Sequence, residues 1–155
     1  FMVSMWIYPT EEHSWRCALY VKYETVFFGM IPIAWEGHSS FRIRDSKEVD
    51  GWYDISGCKL QVNEWSHYVV SYNAKTETAY AYINGQLVGS MKNVPGNRYA
   101  KRIVLGGDVF QPSFIGKICE VTFYNEIRDH DFVSELHQSY VTRDDFIGFE
   151  IGIDK

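Results

Sequence analysis

TAYAYINGQLVGSM, residues 78–91, is the stretch that decides the fold. Two runs in which apolar residues alternate with polar or small ones flank the dipeptide Asn84-Gly85. Both central positions of a type I′ turn need a positive φ, which Asn and Gly adopt more readily than other residues. An Asn-Gly pair between two such runs therefore predicts a β-hairpin over 78–91, and with it antiparallel β-structure.

The stretch before the hairpin also has the two-residue period of a strand. In EWSHYVVSYN, residues 64–73, Trp65 and His67 fall on one face and Tyr68 and Val70 on the other. Further strands are predicted at 1–8, 16–23, 25–34, 41–44, 51–55, 102–107 and 114–125. Within 25–34, Gly29 and Pro32 predict a bulge or an edge position.

One helix is predicted after these strands. Asp129 is its expected N-cap, and Phe132, Leu136 and Tyr140 share one face at i, i+4 and i+8. About ten short strands at intervals of 8–12 residues, with one short helix near the C-terminus, predict an all-β fold, an antiparallel sandwich, rather than an α/β fold. Residues 1–142 are predicted to form the sandwich domain. Residues 143–155, which include the alternating FIGFEIGI, are predicted to be a final strand or the start of a following segment.

Length and charge exclude several classes of protein. The 155 residues fit one domain, and 17% of them are aromatic, which favours strands. The net charge is -5 and there is no basic run, so neither nucleic acid nor an anionic membrane is a predicted partner. No apolar run reaches the roughly 18 residues of a membrane span.

The three cysteines are Cys17, Cys58 and Cys119. Their odd number means that at least one thiol is free or pairs outside the chain. The favoured interpretation is that all three are small buried residues, because free Cys is among the most buried residue types. The alternative is a Cys17–Cys58 bridge.

The order of the strands resembles that of laminin-G-like jelly-roll domains of the concanavalin A-like superfamily. The matching pieces, in the family's order, are FMVSMWIYP (1–9), EWSHYVVSY (64–72), AYINGQLVG (81–89), RIVLGG (102–107) and FIGKICEVTFYN (114–125). The resemblance covers residues 1–140 and implies a lectin-like, antiparallel two-sheet jelly-roll sandwich with one short C-terminal helix. It also implies that Trp6, Trp65 and His67 are structural.

The sequence departs from the family in two places. The family's upstream strands, with a D-x-S-G-N type of turn, are not in this sequence, so we expect a fragment, a rearranged version, or a domain completed by another segment. The family's motif I-D-E-V has Cys119 at its aspartate, a residue that often helps to hold a structural calcium. A thiol is a poor calcium ligand, since calcium prefers oxygen donors. No cofactor is predicted, and structural calcium remains an alternative without its usual aspartate.

A catalytic interpretation is weighed at residues 48–54, EVDGWYD, which come near the E-x-D-x-x-E signature of related glucanases. Such enzymes need two carboxylates about 5 Å apart. Here Tyr53 stands where the last Glu would be, and Asp54, one residue later, points to the opposite face. The chain is therefore predicted not to be an enzyme. The five histidines show no metal-ligand spacing, and we expect two of them, His130 and His137, on the helix surface.

Tryptophans in or beside the predicted loops indicate a sugar-binding site, because their rings stack on the apolar C–H faces of sugars while nearby polar groups bind the hydroxyls. The candidate site residues from the sequence are Trp15, Trp35, Glu36, His38, Arg42, Trp52, Tyr53 and Asp54. The family resemblance adds Asp108 and Gln111, in the loop after the glycine pair. The alternative for each tryptophan is packing over the end of a sheet.

The sequence and the resemblance together predict a secreted or cell-surface, non-catalytic carbohydrate-binding module. Its expected partner is an oligo- or polysaccharide, and its expected setting is an extracellular, bacterial glycosidase whose catalytic domain belongs to the same polypeptide. The alternative is a structural or protein-interaction sandwich that packs on a neighbouring domain or a surface partner.

Overall fold

The structure is a computed structural model and describes residues 1–96 and 99–143. The strands are β1 (Met2–Pro9), β2 (Leu19–Lys22), β3 (Val26–Ile31), β4 (His38–Asp45), β5 (Trp52–Lys59), β6 (Ser66–Asn73), β7 (Thr78–Ile83), β8 (Gln86–Met91), β9 (Arg102–Leu105) and β10 (Gly116–Tyr124). A 3₁₀ turn (Trp35–Gly37) precedes β4, and helix α1 (His130–Val141) follows β10.

Within the described residues the strands form two antiparallel sheets of five strands each. Sheet A has the order β10-β1-β6-β7-β8, and sheet B has the order β5-β4-β3-β2-β9. The predicted jelly-roll sandwich with a short C-terminal helix is confirmed. The division of the chain at residue 142 stays a prediction, and residues 144–155 lie outside the described residues.

The hairpin forms as predicted. β7 and β8 pair across Asn84 and Gly85, whose φ angles are 50° and 77°. The side-chain oxygen of Asn84 also accepts a hydrogen bond from the backbone N–H of His67, at 2.8 Å. Asn84 therefore has two roles: it adopts the positive φ that the turn needs, and its side chain links the hairpin to β6.

The core lies between the inner faces of the two sheets. Alternate residues of β1, β2 and β3, such as Val3, Leu19 and Phe28, point inward and are buried. Trp6, on the opposite face of β1, is buried under α1 against Tyr140 instead. The residue expected to be structural there is therefore buried, but in a second, smaller cluster outside the sandwich core, with Trp65 packed against it.

Helix α1 begins at the predicted cap, since Asp129 Oδ1 accepts the N–H of Phe132 at 2.9 Å. The expectation that His137 lies on the helix surface is wrong. Its ring stacks on Trp6 and on His67, with 5.5 Å between the ring centroids in each pair. The reason is that the helix packs on the outer face of sheet A and turns this side chain towards the strands.

The bulge or edge position predicted for 25–34 is also wrong. β3 is the central strand of sheet B, and it pairs with β2 and β4 without a register shift. Pro32 lies just beyond the end of the strand. A Cβ at Gly29 would be 2.9 Å from the sulfur of Cys17, so this glycine leaves room for a neighbouring side chain.

All three cysteines are free thiols. Cys17 is buried, whereas Cys119 is half-buried and Cys58 is exposed. The prediction of burial is wrong for Cys58 because β5, which carries it, is an edge strand of sheet B.

The sandwich is closed on one side and open on the other. At the closed side β5 lies against β8, where a Cβ at Gly57 would overlap Val88. On the open side the inner-face residues of β9 and β10 are half exposed: Leu105 at 53% and Phe123 at 47%. None of the helices in the described residues is long and apolar enough to span a membrane.

Candidate functional site

The outer face of sheet B carries a small pocket. Along its strands, residues that alternate with the core residues point outward and meet loop residues from 15–17 and 108–111. The lining residues, called here the sheet B pocket, are Trp15, Cys17, Tyr20, Phe27, Gly29, Ile31, Arg42, Trp52, Asp108, Phe110 and Gln111. The cavity measures about 150 Å³.

Aromatic rings form one wall of the pocket. Phe27 lies in the middle, with its ring centroid 5.5 Å from that of Phe110 and 6.1 Å from that of Trp52. The two outer rings are open to solvent: Trp52 is 51% exposed and Phe110 is 64% exposed. Apolar rings left this exposed around a cavity are more typical of a binding surface than of a core.

Arg42 stands between two tryptophans. Its guanidinium carbon lies 4.5 Å from the ring centroid of Trp15 and 4.8 Å from that of Trp52, at cation–π distance. Its Nε and Nη2 donate to the two carboxylate oxygens of Asp54, at 2.7 and 2.8 Å. This planar two-point contact fixes the guanidinium, and the guanidinium in turn fixes both indole rings.

Asp108 organises the loop that carries Phe110. Its Oδ1 accepts the backbone N–H groups of Phe110 and Gln111, at 2.6 and 2.7 Å. Burial raises the pKa of the Cys17 thiol, and a hydrogen bond to the Asp108 carboxylate raises it further. The thiol is therefore neutral at pH 7 and serves as an uncharged part of the pocket floor.

The structure brings five of the ten predicted site residues together in the pocket lining: Trp15, Arg42, Trp52, Asp108 and Gln111. Asp54 supports them through its contact with Arg42. Trp35 lies beside the pocket, edge-on to Trp15 at 4.5 Å between centroids.

Glu36 and His38 do not line the pocket. Glu36 lies in the exposed 3₁₀ turn with φ 50°. His38 Nδ1 lies 3.2 Å from the carbonyl oxygen of Trp35, to which it donates. Both residues are close to Trp35 in the sequence, which suggested a shared site, but neither is among the residues that line the pocket.

Tyr53 is not part of the pocket either. It lies on the inner face of sheet B and packs against the core, because adjacent residues of a strand point to opposite faces. Its hydroxyl donates to Glu48 Oε2 at 2.9 Å, whereas Asp54 is held by Arg42 on the outer face. The carboxylates weighed as a catalytic set are thus held by different partners on different sides of β5.

Six lining residues are missing from the sequence prediction: Cys17, Tyr20, Phe27, Gly29, Ile31 and Phe110. The first five lie in or beside β2 and β3, where both faces are apolar, so that the alternation that would separate core from surface is hidden. Phe110 gave a usable signal, since it is an aromatic residue in the same predicted loop as Asp108 and Gln111.

The described residues do not fit the family's calcium. Among residues 1–96 and 99–143, no three His, Cys, Asp or Glu side chains come together as a metal site. Cys119, at the place of the family's aspartate, has a pKa raised to about 11 by burial and, next, by Glu120. The thiol is therefore neutral near pH 7 and offers no oxygen to the cation.

Comparison with known proteins identifies the class of protein to which this fold and pocket belong. A model of the concanavalin A-like lectin/glucanases superfamily matches residues 1–134, and the chain belongs to that family. The resemblance inferred from the ordered strand motifs is confirmed. No curated protein sequence matches the chain.

Solved structures have the same fold. Domain 4 of AbnA, an extracellular arabinanase from Geobacillus stearothermophilus solved with arabinotriose, is 24% identical with a TM-score of 0.76 and covers 88% of this chain. The CBM40 of the Ruminococcus gnavus IT-sialidase, bound to α2,3-sialyllactose, is 14% identical with a TM-score of 0.70 and also covers 88%. A pentraxin from Limulus polyphemus is 16% identical with a TM-score of 0.68 and covers 95%.

The matched part spans 66% of the arabinanase domain, 81% of the CBM40 and 71% of the pentraxin. Identities this low show a common fold.

Proposed function

We propose that this chain is a non-catalytic carbohydrate-binding module whose sugar ligand occupies the sheet B pocket. The observation that carries the proposal is that the exposed aromatic rings of Trp52 and Phe110 line one small cavity together with the polar groups of Arg42 and Asp108. Sugars present the same combination of apolar faces and hydroxyl edges.

The pocket is prepared for a ligand before it binds. Arg42 is held by Asp54, Asp54 also accepts a hydrogen bond from Ser40, and Asp108 is held by two backbone N–H groups. Side chains that are already fixed lose little conformational entropy on binding, which favours affinity in a site with few contacts.

Two of the related structures support this proposal by their ligands, arabinotriose in one and sialyllactose in the other. Both belong to larger glycosidases. We extend the proposal accordingly to a secreted or cell-surface module of an extracellular, bacterial glycosidase that brings its catalytic domain to an oligo- or polysaccharide.

Isothermal titration of the purified chain with a panel of plant and animal oligosaccharides tests the proposal. We expect binding of at least one oligosaccharide with a Kd in the micromolar to millimolar range, because the pocket offers few contacts. Trp52→Ala should reduce that affinity by at least about tenfold, as the loss of a stacked ring costs about 1.4 kcal/mol or more.

Phe123→Ala is the matched control, since Phe123 is exposed to a similar degree but lies on the open side of the sandwich. It should bind the sugar as the wild type does. If a folded sample binds none of the oligosaccharides at millimolar concentration, or if both variants lose affinity equally, the pocket is not a sugar site.

A second candidate function, a protein-interaction sandwich, is favoured by the open side. Ile103 and Leu105 on β9 and Phe123 on β10 are half exposed, although all three are on inner faces of the sheets. Under this alternative a neighbouring domain covers them. Loss of that association in Leu105→Ser, with sugar binding unchanged, would support it.

A further inference from the structure

We propose that the sheet B pocket selects neutral sugars and rejects sugar acids, with the carboxylate of Asp108 as the selecting group. This inference rests on the proposed function and deepens it by naming the ligand class. It concerns the charge left in the pocket after its internal ion pairs are formed.

The positive charge of the lining is already compensated. Arg42 is the cation of the lining, and its Nε and Nη2 are bound to both oxygens of Asp54. To bind Arg42, a ligand carboxylate would have to displace Asp54, a bidentate partner on the neighbouring strand that is already in place. Arg42 therefore serves to hold the aromatic rings in place more than to bind an anion.

The negative charge of the lining is not compensated in the same way. Asp108 lines the pocket and takes part in none of the ion pairs found among residues 1–96 and 99–143. Two backbone N–H groups and the Cys17 thiol satisfy part of its hydrogen-bonding capacity. A carboxylate has about four acceptor sites, so one remains for a donor from the ligand.

A sugar hydroxyl can fill the remaining acceptor site of Asp108, because it donates a hydrogen bond and carries no charge. A uronic or sialic acid would bring a second carboxylate into a pocket where one already stands, and like charges at short distance repel strongly where water is partly excluded. The same residue thus attracts one class of sugar and repels the other, and selectivity of this kind depends on repulsion as much as on attraction.

Three further cations, Lys22, Arg44 and Arg102, lie on the outer face of sheet B but outside the lining; Arg102 is the cross-strand partner of Lys22. Lys22 Nζ is 6.0 Å from the ring centroid of Phe27, and the Arg44 guanidinium is 4.8 Å from that of Trp52. Arg44 Nη1 donates to the backbone carbonyl oxygens of Asp45 and Glu48, which hold it at the turn. If the inference were wrong, a sugar acid would bind at these three residues.

The size of the pocket sets how much of the ligand it encloses. At about 150 Å³ it is smaller than the roughly 300–1,000 Å³ of sites that enclose a drug-sized molecule. We infer that one sugar ring enters the pocket, and that the rest of an oligosaccharide lies across the exposed rings of Trp52 and Phe110.

Titration with matched pairs of sugars tests the inference, for example galactotriose against trigalacturonate and xylotriose against the same chain carrying glucuronate. The full chain should bind a neutral member at least about tenfold more tightly than its acidic partner at low salt. Added salt should reduce this ratio, because screening weakens the repulsion.

Asp108→Asn is the decisive variant. Asparagine keeps an Oδ1 that accepts the N–H groups of Phe110 and Gln111, so the loop is retained while the charge is removed. The ratio between neutral and acidic sugars should fall to within about threefold. Asp50→Asn removes an exposed carboxylate outside the pocket lining and should leave the ratio unchanged.

Binding of the acidic member with equal or greater affinity would overturn the inference and leave the proposed function standing. A wild-type preference for the neutral member that persists unchanged in Asp108→Asn, at every salt concentration, would overturn the role of Asp108. Absence of binding to every sugar, neutral or acidic, would overturn both proposals together. If Asp108→Asn fails to fold, the salt dependence of the wild-type ratio still decides the question.

Discussion

Gly29 shows how one residue serves both the fold and the pocket. It occupies the middle of the central strand of sheet B, where most proteins place a β-branched or aromatic residue. The missing side chain leaves space for the sulfur of Cys17, and both residues line the pocket. The depth of the pocket therefore depends on the absence of a single methyl group.

Gly29→Ala should destabilise the fold by about 1–3 kcal/mol, because the new Cβ would stand 2.9 Å from Cys17 Sγ. The same change in a Cys17→Ala background should cost less, by a coupling energy of at least about 0.5 kcal/mol. Urea denaturation of the four proteins of this cycle gives the measurement. Strict additivity would mean that the two residues do not compete for this space.

At the scale of the element, helix α1 is attached to sheet A by stacked rings. Trp6 lies 5.1 Å from His67 and 5.5 Å from His137, measured between ring centroids, and all three rings are nearly parallel. His67 is fully buried, and its Nε2 lies 2.7 Å from Ser4 Oγ. A neutral imidazole fits this environment, whereas a charged one would lack both solvent and a compensating carboxylate.

Stability should therefore fall in acid. Burial lowers the pKa of His67 from 6.5 to about 3, and the neighbouring His137 contributes to the lowering. Since the unfolded state then binds more protons, the free energy of unfolding should decrease as pH falls from about 6.5 towards 3, by up to about 1.4 kcal/mol per pH unit for this group.

His67→Gln tests this assignment, since its amide nitrogen reaches the position of Nε2 beside Ser4 and does not titrate. The variant should be less stable at pH 7 but should show a smaller slope of unfolding free energy against pH. The measurement is urea denaturation at half-unit intervals between pH 3 and 7. An unchanged slope would assign the acid sensitivity to other groups.

At the scale of the whole molecule, the two sheets protect their inner faces unequally. Leu19 on β2 and Leu105 on β9 are direct cross-strand partners, so both side chains point to the inner face of sheet B. Yet Leu19 is 0% exposed and Leu105 is 53% exposed. The same residue type on the same face thus has two environments, set by how far the opposite sheet extends.

This pair provides a matched comparison. Leu19→Ala should lower the free energy of unfolding by about 2–5 kcal/mol, the usual range for a leucine truncated in a packed core. Leu105→Ala should change the free energy of unfolding by no more than about 0.5 kcal/mol, as for a surface substitution. Guanidinium denaturation of both variants decides the point. Equal costs would indicate that in solution something covers the open side.

The pocket is separate from the exposed inner faces of the open side, because it is built on the outer face of sheet B. Its rings come from β2, β3 and β5 and from the loops before β2 and after β9. These segments are more than 90 residues apart at the extremes, from Trp15 to Phe110, and the sandwich brings them together. A site of this kind exists only in the folded sheet.

Much of the fold could be predicted because its signals are local. The hairpin follows from the φ preferences of Asn84 and Gly85, and the cap of α1 follows from the side-chain oxygen of Asp129. Strand alternation also separated Asp54 from Tyr53. What could not be predicted is the inner or outer direction of strands that are apolar on both faces, as in β3, and which face the helix would cover.

The sequence by itself determined the antiparallel sandwich, its hairpin and its helix, because turn chemistry and hydrophobic period act over a few neighbouring residues. Tryptophans beside predicted loops indicated Trp15, Arg42 and Trp52 as site residues, and the family resemblance added Asp108 and Gln111. The tertiary structure alone decided that Arg42 is held by Asp54 between two tryptophans, and that Phe27 and Phe110 join them. It also decided that Tyr53 packs against the core and that His137 packs against the outer face of sheet A. These outcomes depend on which strands become neighbours, and strand pairing is set by burial over the whole chain.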